Sequence, residues 1–279
     1  MSPGCIVCGK KEISKTLSLC LECIRRGEGG DTHLKRAHEV ARRGFPLPPD
    51  LPRDPDGVKC NLCSNECQIG EGERGYCGLR ENVRGRLISK VSSDAALACT
   101  YLDPLPTNCC AAWFCPESSE KGYNLATFFY GCNFDCLFCQ NASHKLIDEA
   151  PGITIDRFVK EVESTRGIRC ICYFGGSPEP QLPFAIRASE RVIEERDDVR
   201  ICWEWNGCGD PGLVMRAAEL SFKSGGIIKF DLKAFNQNLS IALSGVSNKR
   251  AYENFEMIAS SFERVDLLTA TTPLIPWYI

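Results

Sequence analysis

Three cysteines fall close together in Gly131-Cys132-Asn133-Phe134-Asp135-Cys136-Leu137-Phe138-Cys139-Gln140-Asn141. The spacing is C-x3-C-x2-C, and it directly follows the apolar run Leu125 to Tyr130. Three thiolates on one short loop can hold three irons of a four-iron, four-sulfur cluster. The fourth iron then has no protein ligand and is open to a small molecule. A three-cysteine zinc site and plain buried thiols are the competing readings. Both rank lower, because the loop comes straight after a strand that opens an α/β pattern.

That pattern begins at residue 124. Apolar, β-rich runs occur at Leu125–Tyr130, Ile168–Phe174, Val199–Trp205, Ile227–Leu232 and Val265–Thr269, with helical stretches near 154–166, 182–196, 211–223 and 248–262. In the second of these, Phe184, Ala185, Ala188, Val192 and Ile193 form an apolar stripe, with Arg187, Glu190, Arg191, Glu194 and Glu195 largely opposite. Strands apolar on both faces and joined by such helices predict parallel β/α units, with chemistry at strand C-terminal ends. The Cys132 loop sits at such an end.

The 279 residues carry a formal net charge of -3, which excludes a global basic field for nucleic acid or anionic membrane. No apolar run approaches the roughly 20 residues of a membrane span. The start, Met1-Ser2-Pro3-Gly4-Cys5, lacks a secretory apolar region, so a cytoplasmic location is expected. Nineteen cysteines, many at metal-ligand spacings, read as metal sites in a reducing and oxygen-poor compartment rather than as disulfides.

Residues 1–28 form a first module, Cys5-x2-Cys8 and Cys20-x2-Cys23, whose spacing matches a tetrahedral zinc site. A segment this short buries little core, so a metal has to supply its folding energy. Residues 29–57 read as a Pro-rich linker, with modest helical character from Asp31 to Arg43 and five prolines between Phe45 and Gly57. Residues 58–123 hold a second module, Cys60-x2-Cys63-x3-Cys67-x9-Cys77, then a strand at Arg86–Val91 and an irregular segment. Zinc and an auxiliary iron–sulfur cluster both suit the second module, with zinc favoured. Cys99, Cys109, Cys110 and Cys115 are either a further metal set or buried thiols, and Cys170, Cys172 and Cys202 read as buried thiols inside strands. Residues 124–279 are the α/β core. The only histidines, His33, His38 and His144, argue against a histidine-based triad or metal site.

The α/β core resembles the partial barrel of the radical S-adenosylmethionine (SAM) superfamily. More narrowly it resembles the branch of pyruvate formate-lyase activating enzymes and AmmeMemoRadiSam-system radical SAM proteins. Cys139-Gln140-Asn141 is typical of the second group. So are Cys60-Asn61-Leu62-Cys63-Ser64-Asn65-Glu66-Cys67-Gln68-Ile69-Gly70 and Arg74-Gly75-Tyr76-Cys77-Gly78-Leu79-Arg80. The module from Cys5 to Cys23 departs from it.

The resemblance implies that Cys132, Cys136 and Cys139 ligate the cluster and that its open iron chelates SAM. It places Phe138 against the adenine region. Tyr173-Phe174-Gly175-Gly176-Ser177-Pro178-Glu179-Pro180 resembles a Gly-Gly-Glu-Pro motif with Ser177 and Pro178 inserted, which assigns Gly175 and Gly176 to SAM binding and leaves the place of Glu179 open. Glu204, an acid in the apolar run Trp203-Glu204-Trp205, is expected either to accept hydrogen bonds from the SAM ribose or to form a structural salt bridge. Asp231 and Lys233 are two apart and share a side. They resemble an Asp-Leu-Lys sequence lining the active site of activating enzymes, and a barrel-interior ion pair with Lys229 is the alternative. Five strands are counted where the family barrel has six, so a last strand and helix are expected to be missing.

The fold class expected is therefore α/β, a partial parallel (β/α) barrel of the radical SAM type, C-terminally truncated, behind Cys-rich metal-binding modules. The function expected is reductive cleavage of SAM to a 5'-deoxyadenosyl radical for hydrogen abstraction, by family analogy from a protein residue as in glycyl-radical activation. Partners implied are SAM, an electron donor such as ferredoxin or flavodoxin, and a protein substrate. The rival is a non-catalytic zinc or iron–sulfur interaction protein with a degenerate barrel. Its nucleic-acid version is disfavoured because basic pairs are sparse: Arg25-Arg26, Lys35-Arg36 and Arg42-Arg43.

Overall fold

The computed structural model describes residues 4–11, 13–109 and 111–275. It begins with helices α1 (Leu21–Arg25) and α2 (Asp31–Arg42). Two antiparallel hairpins follow, β1 (Val58–Cys60) with β2 (Cys67–Ile69), and β3 (Arg80–Val83) with β4 (Arg86–Ser89). Then come β5 (Ala95–Pro104), β6 (Tyr123–Phe129) and β7 (Gly152–Thr154). Regular alternation starts with α3 (Ile155–Ser164), β8 (Ile168–Gly175), α4 (Leu182–Glu195), β9 (Arg200–Trp205), α5 (Pro211–Ser224) and β10 (Ile228–Asp231). The remaining elements are α6 (Gln237–Ser244), α7 (Lys249–Ser261) and β11 (Leu268–Thr271).

Seven strands form one sheet in the order β11-β10-β9-β8-β6-β5-β7. Strands β6, β8, β9, β10 and β11 run parallel and answer to the five expected from the sequence, except that the last lies at Leu268–Thr271, after a 3-10 turn at Val265–Leu267, rather than at Val265–Thr269. The intervening helices start where the chemistry directs. Thr154 caps α3 by accepting from the Arg157 amide, and Asp210 caps α5 by accepting from the Leu213 amide at 3.1 Å, with Pro211 in the first turn. Gly225 then stops α5 in the left-handed conformation at φ 75°.

Alternate residues of the central strands face these helices. Phe129, Tyr173, Trp203 and Trp205 stack across β6, β8 and β9, with ring centroids 4.7 Å apart for Tyr173 and Trp203. Trp203 also donates from its indole nitrogen to the Ala217 carbonyl at 3.1 Å. Phe158 and Phe184 close on this ladder from α3 and α4. Such wide aromatic burial dominates a core's energetics. The opposite strand face carries Cys170, Cys172, Phe174, Cys202, Glu204, Lys229 and Asp231, toward the barrel interior.

Three expectations are corrected. The segment 91–123 is not irregular throughout, because β5 pairs antiparallel with β6 from Ala98 opposite Phe129 to Pro104 opposite Tyr123. Its alanines have weak strand preference, and pairing with an apolar neighbour overrides that preference. The stretch 29–57 is not simply a linker, since α2 buries Ala37, His38 and Arg42. Helix α6, between the fourth and fifth parallel strands, was not expected.

The N-terminal segment packs on α6. Leu17, Leu19, Cys20, Cys23 and Ile24 share a buried cluster with Ala234, Leu239, Ala242 and Leu243. Asn238 donates to the Arg25 carbonyl at 3.1 Å. On its other side, α6 meets the Cys132 loop, where the Asp135 amide donates to Ser244 and the Leu137 amide to Leu243, each at 2.9 Å. Helix α6 is thus clamped between the first cysteine module and the loop of three cysteines. The sulfurs of Cys5, Cys8, Cys20 and Cys23 all lie within 4.8 Å of one another. Chelating metal away from these four is expected to raise hydrogen exchange at residues 237–244 while the central strands β8 and β9 stay protected. Unchanged exchange in α6 would show that the module does not hold it.

Candidate active site

One cavity of about 330 Å³ opens at the C-terminal ends of the parallel strands. Its wall includes Cys132, Cys136, Phe138 and Cys139 after β6, Gly175 and Gly176 after β8, Glu204 on β9, Asp231 and Lys233 at β10, and Pro273 beyond β11. A single cavity lined by five successive parallel strands requires the sheet to curl around it, as a partial barrel does. Every residue that the sequence singled out for the cluster, for SAM and for catalysis meets here. The four N-terminal cysteines form a separate centre.

The sulfur geometry separates two kinds of site. A tetrahedral zinc with Zn–S near 2.3 Å needs sulfurs about 3.8 Å apart. Among the described residues, only Cys5, Cys8, Cys20 and Cys23 supply three or more Cys, His, Asp or Glu ligand atoms within 4.8 Å of one another. Cys132, Cys136 and Cys139 line the same cavity at wider spacing, which suits a cluster of several irons. Cys60 and Cys67 face each other across β1 and β2, yet the second module also does not converge as a zinc tetrahedron does. Burial pushes the Cys132 and Cys136 thiols above their ordinary range, and for Cys136 the Lys233 charge and the Ser244 hydroxyl oppose it. A metal bound by these thiols would have to displace their protons.

Glycine serves the loops before it serves a ligand. A Cβ on Gly176 would lie 2.2 Å from the Gly131 carbonyl oxygen, and one on Gly175, at φ 112°, would lie 2.6 Å from the Phe129 amide nitrogen. The end of β8 thereby packs directly on the start of the cysteine loop. Asn206 adds a polar tie, donating to the Asn133 side chain at 2.7 Å and to the Ser177 hydroxyl at 2.9 Å. Asn65 donates to the Asn133 carbonyl at 2.7 Å. Sequence reasoning passed over Asn133 and Asn206, although buried amides beside apolar strands are a signal of such ties. Glu179 lies outside the cavity wall. It is fully buried and accepts from the Gly207 amide at 2.6 Å, and burial pushes its carboxyl up to about 6.

Two ion pairs face the cysteines. Lys229 and Glu204 are direct cross-strand neighbours and are paired, and Lys233 is paired with Asp231. The salt bridge expected of Glu204 is formed, and its side chain still reaches the cavity. Burial opposes the Lys233 charge, but the Cys136 and Asp231 charges overrule it and raise its pKa. Its Nζ stands 5.7 Å from the centre of the Phe138 ring. His144 also lines the cavity. Burial, then the Lys145 charge, lowers its imidazole to about 4, and its Nδ1 has no hydrogen-bond partner among the described residues.

A buried charge cluster holds the loop from behind. Asp135, between the first two cysteines, has a fully buried side chain. It takes hydrogen bonds from Lys145 Nζ at 2.6 Å and His38 Nδ1 at 2.9 Å, with Arg42 Nη1 at 3.5 Å. The other His38 nitrogen lies 3.2 Å from the Ala242 carbonyl, which fixes the ring between Asp135 and α6. Burial alone would raise the Asp135 carboxyl, but the His38 and Lys145 hydrogen bonds and the Arg42 charge hold it at about 2.

Residues 127–276, more than half of the chain, match the family model of the radical SAM superfamily, and the chain belongs to that superfamily. The family works with a four-iron, four-sulfur cluster and SAM, and the wide cysteine set in the cavity fits that group. The chain is 25% identical over 167 residues to pyruvate formate-lyase 1-activating enzyme of Escherichia coli K12, across 57% of this chain and 65% of that one. It is 36% identical over 92 residues to an uncharacterized protein of Methanocaldococcus jannaschii, across 32% of this chain and 24% of that one. The chain thus spans less than two thirds of either relative.

Replacing Cys132, Cys136 and Cys139 together by Ala is expected to abolish the paramagnetic signal of the reduced cluster that shifts on adding SAM. Persistence of that SAM-responsive signal would remove these residues as ligands. Asp135→Asn is expected to destabilise the chain by about 3 kcal/mol in urea melts at pH 7, as loss of a buried ion-pair partner does. The folded carboxyl is depressed to about 2, so its contribution is present above the unfolded value near 4 and is lost as pH falls toward 2. The gap between wild type and variant should narrow over that window. A gap independent of pH there would show that charge is not what Asp135 contributes.

Proposed function

We propose that this chain is an enzyme of the activating type, which cleaves SAM reductively and takes a hydrogen atom from a protein substrate. The observation that carries this reading is the single cavity shared by Cys132, Cys136, Cys139, Gly175, Gly176, Glu204, Asp231 and Lys233. The similarity to an activating enzyme supports the substrate class. A four-iron, four-sulfur cluster held by Cys132, Cys136 and Cys139 would supply, with one electron from an external donor such as ferredoxin or flavodoxin, reductive cleavage of SAM to a 5'-deoxyadenosyl radical able to take a hydrogen atom from the substrate.

The residues have separable tasks. Cys132, Cys136 and Cys139 hold the cluster. Gly175 and Gly176 keep the wall free of side chains beside it, and Phe138 offers an apolar face to the adenine. Glu204 accepts from the ribose hydroxyls, with Lys229 holding its carboxylate in place. Asp231 and Lys233 orient the reacting groups across from the cysteines. The four N-terminal cysteines hold zinc, in keeping with their tight spacing.

Anaerobic reconstitution with iron and sulfide, followed by SAM and a reductant, tests this. Release of 5'-deoxyadenosine is expected, and a cluster-loaded chain that releases none would leave the non-catalytic interaction protein as the better account. Glu204→Gln should weaken SAM binding about tenfold, the scale of a hydrogen bond to a charged group, with iron content unchanged. Equal affinity in the variant would leave Glu204 with only its salt bridge.

A further inference from the structure

A second cavity gathers several of the cysteines that the reading above leaves unused. Five of its twelve lining residues are cysteines: Cys109, Cys115, Cys170, Cys172 and Cys202. The chain as a whole has nineteen in 279 residues. A lone buried thiol packs as a small hydrophobe and needs no further account. Five that converge on one space from two strands and a covering segment do.

Their placement follows from strand geometry. Ile171 and Tyr173 of β8 face the helices, so Cys170 and Cys172 face the interior. Cys172 is in register with Cys202 on β9, and Cys170 with Arg200. Neighbouring strands lie about 4.8 Å apart, and two residues along a strand span about 6.6 Å. The three strand cysteines are therefore spread over a patch rather than gathered to a point. Leu105, Cys109, Ala111 and Cys115, which follow β5, pack over the patch. No three of these sulfurs lie within 4.8 Å of one another, whereas the four N-terminal sulfurs do.

The surroundings suit an anionic sulfur-ligated centre. Arg200 and Glu117 both line the cavity, and Glu117 is shared between Arg200 at 3.1 Å and Arg169 at 2.9 Å, so the group keeps a net positive charge. The Ile227 amide donates to the Cys202 sulfur at 3.4 Å, the kind of N–H···S contact that tunes iron–thiolate centres. Phe174 and Glu204, which line the SAM cavity, are each two residues beyond Cys172 and Cys202 on the same face.

We propose that the barrel interior below the SAM cavity binds a second iron–sulfur cluster, with ligands drawn from Cys109, Cys115, Cys170, Cys172 and Cys202. This goes beyond the activity proposed above and does not depend on it. The site lies apart from the Cys132 loop and from both N-terminal modules. Cys99 lies outside its lining, and Cys110 falls outside the described residues.

The test compares the full-length chain with its C170S/C172S/C202S variant, both reconstituted anaerobically. The variant should lose about two to four irons per chain with matching acid-labile sulfide. It should keep the SAM-responsive signal of the Cys132 loop and the metal of the Cys5 to Cys23 module. Unchanged iron and sulfide would overturn the proposal, and so would loss of a metal that comes without sulfide. If the strand variant loses its SAM-responsive signal and circular dichroism as well, C109S/C115S decides, because it alters only the covering segment. Fewer irons and sulfides in that variant support the site, and wild-type amounts overturn it.

Discussion

An ionised carboxylate buried inside a cysteine loop is a costly thing to build. Asp135 is tolerated because Lys145, His38 and Arg42 surround it from three directions. Two of those partners, His38 and Arg42, come from α2, almost a hundred residues earlier in the chain. The loop that must present three sulfurs is therefore set by a segment outside the barrel. The excess of positive charge behind it also suits an anionic cluster in front. Backbone ties from α6 and the close approach of Gly176 to Gly131 complete the support.

The parallel core was legible in the sequence because burial on both strand faces leaves long apolar runs, and the helices between them carry clear stripes. The charged wall of the cavity was legible because acids and lysines interrupt those runs at strand ends. Strand β5 was not, since its alanines carry little preference of their own and pair only because β6 is beside them. Helix α6 is short, and much of its surface is covered by the N-terminal module, so it shows no simple amphipathic stripe. The Asp135 cluster was invisible for another reason. Its members are far apart in the chain, and a histidine, an arginine and a lysine each look like ordinary surface residues until the fold joins them.

Cysteine placement shows the same limit. Spacing along the chain predicts a centre whose ligands lie on one loop or one pair of knuckles, and the Cys5 to Cys23 set meets that condition. Spacing carries no signal when ligands are contributed by register between strands. Cys172 and Cys202 are thirty residues apart and look like isolated core thiols, yet they are direct neighbours in the sheet. In a parallel sheet, every residue pair in register is a contact that only the fold reveals.

The wall opposite the cysteines has a property of its own. Glu204 with Lys229 and Asp231 with Lys233 make two dipoles side by side, each charge offset by its partner. Such a surface exerts little pull on a ligand's net charge at a distance, because opposite charges a few ångströms apart cancel beyond their own separation. It discriminates instead by pattern, accepting a molecule whose own positive and negative groups are spaced to interleave with it. Recognition of that kind is short-ranged, and added electrolyte, which screens long-range attraction, has little to act on.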